Sequence, residues 1–365
     1  MKILIASGGT GGHFYPGFAA AEKLRQLGWD VLFVLREGDP AVKTLDEAGF
    51  ASAEIPAAAL PRTINPLKHA AFLRKLFKCF FVCRHIVKDW RPDAALGTGG
   101  YASFPTVLAA SLAGVPVLLH ESNAKLGISN LMSLPLAKKI ALGLPVSGVG
   151  DKAFMAGTPV RPQFRVPLEK ATARRHFGLD ENRPVLLVFG GSQGALALNM
   201  KVCALAKQEF SGPEKPQLLH ITGRRDFEKI KALYGVLPDN IKILPYCEEM
   251  NSALRACDLA LCRSGASTMA ELCALKKPAV LVPLPHSAAE HQKANALVLA
   301  RAGAAELIEQ DTHFENNIKT SVLRLLHDPA ALEYMSDAFR DAEIPDPFKA
   351  ADVIAECAAG LAKAA

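Results

Sequence analysis

Two kinds of residue in this sequence can do chemistry: groups that move a proton and turns that seat an anion. His13 closes the glycine-rich run GGTGGH at 8–13. An imidazole near its ordinary pKa can take a proton from a sugar hydroxyl; a structural hydrogen bond across the turn is the alternative. The stretch Cys262–Pro283, CRSGASTMAELCALKKPAVLVP, reads as strand end, small-residue turn, helix and second strand. Ser and Thr in its turn can cap the helix, and the N–H groups of the first helical turn suit a phosphate. Glu271 follows about one turn further in, placed to accept hydrogen bonds from a hydroxyl-bearing group beside the anion. An anion seat next to a hydroxyl acceptor suits a nucleoside-diphosphate sugar.

A third turn, GGSQG at 190–194, also matches the G-x-S-x-G elbow of serine hydrolases, and His286 or His291 could complete a Ser-His pair. A hydrolase leaves the second glycine-rich strand-turn-helix unit and the Arg263–Glu271 element without a purpose. The reading preferred here is a phosphate turn in which Ser192 donates to a diphosphate oxygen. HSAAEH is not the zinc motif HExxH, and no Asp-x-Asp pair is present, so no metal and no cofactor are expected. Leaving-group charge then falls to Arg161 or Arg263, Ser192 and helix N-termini.

These groups need a frame that presents them together. Apolar strands are expected at Lys2–Ser7, Asp30–Leu35, Pro92–Leu96 and Val115–His120. In the second half they are expected at Pro184–Phe189, Gln217–Ile221, Ile241–Leu244, Asp258–Cys262 and Pro278–Val282. Helical stretches alternate with them, one beginning at about Pro16 as its first residue. That repeat of strand, glycine turn and helix implies α/β architecture with parallel sheets covered on both faces. Prolines 159, 162 and 167 mark a linker, so the expected division is 1–160 and 161–345, with a terminal helix over 346–365. Two Rossmann-like halves place a ligand cleft at the carboxyl ends of their strands.

At 365 residues, half of them hydrophobic, the chain can build two cores. Eight cysteines with no metal spacing read as small buried thiols in a reducing cytoplasm. No leader or membrane-spanning run is expected. The net charge of +6 lies in residues 1–157, which carry 17 basic and 11 acidic side chains. Much of it sits in Leu67–Lys88. At helical spacing Phe72, Leu73, Leu76, Phe80 and Val87 should face the core, while Arg74, Phe77, Lys78, Phe81, His85 and Lys88 share another face. A solvated basic face is one reading, and a patch for an anionic membrane surface is the sharper one. No nucleic-acid recognition motif accompanies it.

GGTGGHFYPG, GTGGYASFP, HESN, FGGSQGA, CRSGASTMAE and HQKANA follow one another in order. On those motifs the chain, from Lys2 to about Gln310, closely resembles the family of peptidoglycan GlcNAc transferases that convert lipid I to lipid II. The resemblance implies a GT-B fold, two Rossmann-like domains facing each other across a cleft. It implies UDP-GlcNAc as donor in the C-terminal domain, no required metal, and inversion at the anomeric carbon. The acceptor it implies is the C4 hydroxyl of MurNAc on undecaprenyl-pyrophosphoryl-MurNAc-pentapeptide, reached from the cytoplasmic face of the bacterial plasma membrane. By motif position it carries donor contacts onto Thr10, Gly11, Gly12, Asn123 and Arg161, and onto Ser192 in the second half. Ala266, Ser267, Thr268, Met269, Ala270 and Glu271 follow, with Glu271 on the ribose hydroxyls. Gln292 is assigned to donor hydroxyls, and Cys247 to a position where the backbone meets uracil. A transferase with another acceptor, and a non-catalytic sugar-nucleotide binder, are the alternatives.

Overall fold

Strands buried on both faces read as continuous apolar runs, and the chain uses them twice to build parallel sheets. The computed structural model describes residues 1–9, 11–57, 61, 65–191, 194–212, 214–285 and 290–364. Thr10, Ser192 and His286 therefore lie outside the described residues.

The chain divides into two units, Met1–Val160 with Pro345–Ala365, and Arg161–Ile344. In the first, the strands are β1 (Lys2–Ala6), β2 (Asp30–Arg36), β3 (Ala51–Ile55), β4 (Ala94–Gly97), β5 (Val117–Glu121), β6 (Lys139–Leu142) and β7 (Ala153–Met155). They form a sheet in the order β3-β2-β1-β4-β5-β6-β7. Its helices are α1 (Gly11–Gln26), α2 (Ala41–Glu47), α3 (Pro66–Trp90), α4 (Ser103–Leu112) and α5 (Ile128–Ser133). The second unit carries β8 (Val185–Phe189), β9 (Gln217–Ile221), β10 (Ile241–Leu244), β11 (Leu259–Cys262), β12 (Ala279–Leu281) and β13 (Ala305–Leu307). Their order is β10-β9-β8-β11-β12-β13, the same plan. Helices α6 (Lys170–His176), α7 (Leu196–Glu209), α8 (Phe227–Tyr234), α9 (Met250–Ala256), α10 (Ala266–Leu275), α11 (His291–Ala302), α12 (Phe314–Leu326) and α13 (Pro329–Asp337) surround that sheet. Helix α14 (Ala350–Ala364) returns to the first unit, where Ile354, Ala355 and Ala358 join the core of Ile3, Ile5 and Phe14. The Lys23–Asp352 pair at 2.8 Å fastens α14 to α1.

Each sheet reverses direction beside its first strand, between β1 and β4 and between β8 and β11. Such switch points leave a crevice at the strands' carboxyl ends. The glycine-rich turns after β1, β4 and β8 begin there, as does the small-residue turn after β11.

Three expectations need correcting. Helix α1 begins at Gly11, so Pro16 lies inside the helix rather than at its first position. Proline has no N–H to give the carbonyl one turn back, that of Gly12. Ser122 Oγ donates to that carbonyl instead, at 3.2 Å, and the helix continues. Leu73 is not core: it is 61% exposed, because the buried stripe of α3 runs through Cys79, Cys83 and Val87. The terminal helix starts at Ala350, after a turn in which Asp346 accepts the N–H of Phe348 at 2.9 Å.

Candidate active site

In the first unit the turn after β1 is shaped by its neighbours. Gly9 N–H donates to Asp39 Oδ2 at 2.7 Å, and a Cβ on Gly8 would fall 2.6 Å from that same oxygen. Gly11 and Gly12 form the first turn of α1, which makes His13 a half-buried residue at the helix start. The His13 carbonyl accepts hydrogen bonds from Ser7 Oγ at 3.0 Å and Thr98 Oγ1 at 2.8 Å. Its ring Nδ1 lies 3.0 Å from the carbonyl oxygen of Thr98. A carbonyl can only accept, so Nδ1 carries the proton and the lone pair of the neutral ring falls on Nε2. In that tautomer the ring can accept a proton only at Nε2.

Gly99 and Gly100, after β4, make this placement possible. A Cβ on Gly99 would stand 2.7 Å from His13 Nδ1, and one on Gly100 would stand 2.6 Å from the carbonyl oxygen of Gly8. Both have positive φ, 95° and 85°. The GTGG motif is thus the surface on which His13 rests. After β5, Asn123 donates from Nδ2 to Glu121 Oε1 at 2.9 Å. The buried Glu121 carboxylate also accepts from the Gly127 N–H at 2.8 Å and from Asn130 Nδ2 at 3.0 Å. Asn123 is therefore held by a carboxylate whose other oxygen is fixed.

The second unit joins two candidates that are far apart in sequence. Arg161 Nη2 donates to Glu271 Oε1 at 2.8 Å, and both side chains are largely buried. Burial pushes the Glu271 carboxyl above its ordinary range, and Arg161 opposes that shift. Helix α10 has Gly265 at its N-cap with no side-chain cap. No Ser or Thr of the turn occupies the cap, and the Ser264 hydroxyl donates instead to the Gln292 carbonyl at 2.7 Å. The first intrahelical bond runs from Met269 N–H to the Gly265 carbonyl at 2.9 Å. Ala266, Ser267 and Thr268 precede it and are half-buried, so their N–H groups are the ones an anion could use. Met269 and Ala270 follow in the same helix and are buried.

Gln292 Oε1 accepts from the Leu284 N–H at 2.9 Å, and Asn295 Nδ2 donates to the Ser264 carbonyl at 3.0 Å. Helix α11 thereby ties down the turn before α10 and the loop after β12. Arg263 is a brace of the same kind rather than a partner for leaving-group charge. Its Nη1 donates to the carbonyls of Val282 and Pro283 at 3.0 and 2.9 Å, and burial pulls its pKa to about 10. The Cys247 thiol is buried beyond β10, and burial raises its pKa.

These contacts can bind a diphosphate and hydroxyls in one unit and accept a proton in the other. Models of the glycosyltransferase family 28 N-terminal and C-terminal domains match residues 3–142 and 185–350. The chain belongs to glycosyltransferase family 28. Within this family it is similar to the UDP-N-acetylglucosamine--N-acetylmuramyl-(pentapeptide) pyrophosphoryl-undecaprenol N-acetylglucosamine transferase of Elusimicrobium minutum, 37% identical over 360 residues covering 99% of both chains. The transferase of that name from Desulforudis audaxviator is 37% identical over 351 residues, 93% of each. Among solved structures, Acinetobacter baumannii MurG is 29% identical with a TM-score of 0.77, over 97% of this chain and 99% of that one. The kitacinnamycin glycotransferase, at 18% identity and a TM-score of 0.73, shares the fold. This family-28 chain is thus a glycosyltransferase built from two Rossmann-like units.

Asp39, Thr98, Gly100, Glu121 and Ser122 hold the candidate residues in place without having been singled out in the sequence. The GTGGY motif pointed toward Thr98 and Gly100, and HESN contains Glu121 and Ser122. Asp39 carries no comparable signal.

Proposed function

We propose that this chain transfers GlcNAc from UDP-GlcNAc to the C4 hydroxyl of MurNAc in undecaprenyl-pyrophosphoryl-MurNAc-pentapeptide, turning lipid I into lipid II. The observation that carries the reading is the His13 ring, whose Nδ1 is committed to the Thr98 carbonyl so that Nε2 holds the lone pair. His13 Nε2 takes the C4-hydroxyl proton as that oxygen attacks the anomeric carbon. The bond from that carbon to the diphosphate breaks on the opposite face, which inverts the centre and releases UDP. Charge on the departing diphosphate is met by Arg161, the 190–194 turn with Ser192, and the N–H groups of Ala266, Ser267 and Thr268. Glu271, paired with Arg161, accepts hydrogen bonds from the ribose. Asn123 and Gln292 hold sugar hydroxyls, Thr10, Gly11 and Gly12 line the donor's reacting end, and the backbone at Cys247 meets uracil.

The lipid acceptor needs a membrane surface, and α3 offers one. Among the described residues no helix is long and apolar enough to cross a membrane. Leu73, Phe77 and Phe81 are exposed at successive turns of α3, with the two rings 4.8 Å apart. Arg74, Lys78 and Lys88 are exposed on the same helix, while His85 pairs with Asp89 at 3.1 Å. Apolar side chains flanked by cations suit the headgroup region of an anionic leaflet, so the chain docks there as a peripheral protein on the cytoplasmic face. The test supplies UDP-GlcNAc with a lipid I analogue or with a non-peptidoglycan lipid sugar and follows UDP release. Release with the first alone supports the assignment, whereas equal release with both refutes the acceptor.

A further inference from the structure

Beneath the turn that begins α7 lies a chain of buried polar groups that none of the steps above employs. Asn199, on the first turns of α7, is fully buried. Its Nδ2 donates to the Thr222 carbonyl at 2.8 Å and to Asp226 Oδ2 at 3.2 Å. With the amide nitrogen so committed, Oδ1 must accept, and His220 Nε2 stands 3.1 Å from it. The imidazole proton is therefore on Nε2, and Nδ1 accepts from the Tyr234 hydroxyl at 2.9 Å. Burial holds His220 neutral, with a pKa near 3. Every donor and acceptor along the line Tyr234, His220, Asn199 is fixed by its neighbour.

The far end of that line touches the glycine turn. A Cβ on Gly194 would stand 2.7 Å from the Thr222 carbonyl oxygen and 3.0 Å from Asp226 Oδ2, the two atoms that Asn199 holds. Gly194 N–H in turn donates to the Gly191 carbonyl at 3.0 Å. A line of satisfied polar groups in a fully buried site has little freedom to shift, so it sets where the turn stands on the sheet. An apolar core would have stabilised α7 against β9 without fixing this register.

We infer that Asn199 is a positioning residue, clamping the end of β9 against Gly194 so that Gly194, where the glycine turn ends, and the start of α7 are held for a diphosphate. This rests on the function proposed above, in which that turn meets the donor diphosphate. Asn199 touches no substrate atom; it acts through Thr222, Asp226 and Gly194. Tyr234 and His220 act one step further back by fixing the direction of the Asn199 amide.

The test compares UDP with uridine, which lacks the diphosphate, on the full-length chain. Asn199→Ala is expected to weaken UDP by about tenfold or more, within the usual range of coupling between separate groups, and to leave uridine unchanged. Tyr234→Phe removes only the terminal hydroxyl and is expected to give a smaller loss confined to UDP. A merely structural role would weaken both ligands alike, or only lower the melting temperature. Equal losses for UDP and uridine, or UDP binding unchanged, overturn the inference. Should Asn199→Ala fail to fold, Tyr234→Phe decides by the same comparison, and its UDP affinity equal to wild type overturns it. Wild-type protein that binds no UDP would instead overturn the functional reading itself.

Discussion

Replacing Gly99 by alanine isolates what holds His13 in place. The new Cβ would lie 2.7 Å from Nδ1 and 2.9 Å from Cε1 of the ring. Ordinary contact begins at about 3.5 Å, so the ring must retreat by roughly 0.7 Å or the turn must open. Retreat strains the 3.0 Å bond to the Thr98 carbonyl, which contributes about 1 kcal/mol and fixes the tautomer. The backbone adds a cost of about 1–2 kcal/mol, because φ is 95°. Stability should therefore fall by about 2–3 kcal/mol. A base displaced by a large fraction of an ångström should cost turnover about 100-fold. Affinity for UDP-GlcNAc should stay within about twofold of wild type, since the lost interaction belongs to the transition state. Gly28→Ala supplies the control: its φ is 78°, yet no atom lies within 4 Å of the new Cβ. It should lose a similar backbone increment and keep full turnover. Steady-state transfer, donor titration and thermal melts on both variants separate the effects. A Gly99→Ala enzyme as fast as Gly28→Ala would refute the role assigned to this contact.

Other perturbations follow from the same contacts. Glu271→Gln keeps the shape and an oxygen for Arg161 but makes the acceptor neutral, so donor affinity should fall by about 1–2 kcal/mol, roughly 5–30-fold, in a calorimetric titration. Because burial raises the Glu271 carboxyl above 4.5, protonation on acidification begins at a higher pH than for an ordinary glutamate. Wild-type donor affinity should then weaken as pH falls through that raised value, and Glu271→Gln should abolish the dependence. Phe77→Ser with Phe81→Ser should reduce binding to anionic vesicles by about 2 kcal/mol, since each exposed ring can bury about half its surface. Transfer to a water-soluble acceptor analogue should be unaffected, and raised salt should weaken vesicle binding further. Ser122→Ala leaves the Gly12 carbonyl without its hydroxyl donor, and chemical denaturation should report a loss of about 1–3 kcal/mol.

The strands were legible where a short run rich in Leu and Ile ended in a turn, as at Gln217–Ile221 and Ile241–Leu244, where sequence and structure agree to the residue. Helix α1 was misread because glycines and Pro16 argue locally against a helix. What rescues it are hydroxyls from Ser7, just upstream, and from the distant Thr98 and Ser122, which bond the Gly12 and His13 carbonyls. The buried face of α3 was shifted because Cys79 and Cys83, small and ambiguous in a hydrophobic pattern, lie at its centre. In the site, His13 and Glu271 could be singled out by type and setting. Their partners could not: Thr98 offers a backbone oxygen, and Arg161 meets Glu271 across 110 residues of chain. Arg263 looked available for charge stabilisation, and only its carbonyl partners show that it is committed to the loop after β12.

The most direct measurement incubates the protein with UDP-GlcNAc labelled in the sugar and a lipid I analogue, with EDTA present, and counts label in the lipid fraction for wild type and His13→Ala. The account predicts efficient transfer by the wild type and a loss of about 100-fold or more in the variant, with donor affinity retained. Label remaining in the nucleotide with wild-type enzyme, or undiminished transfer by His13→Ala, would contradict it.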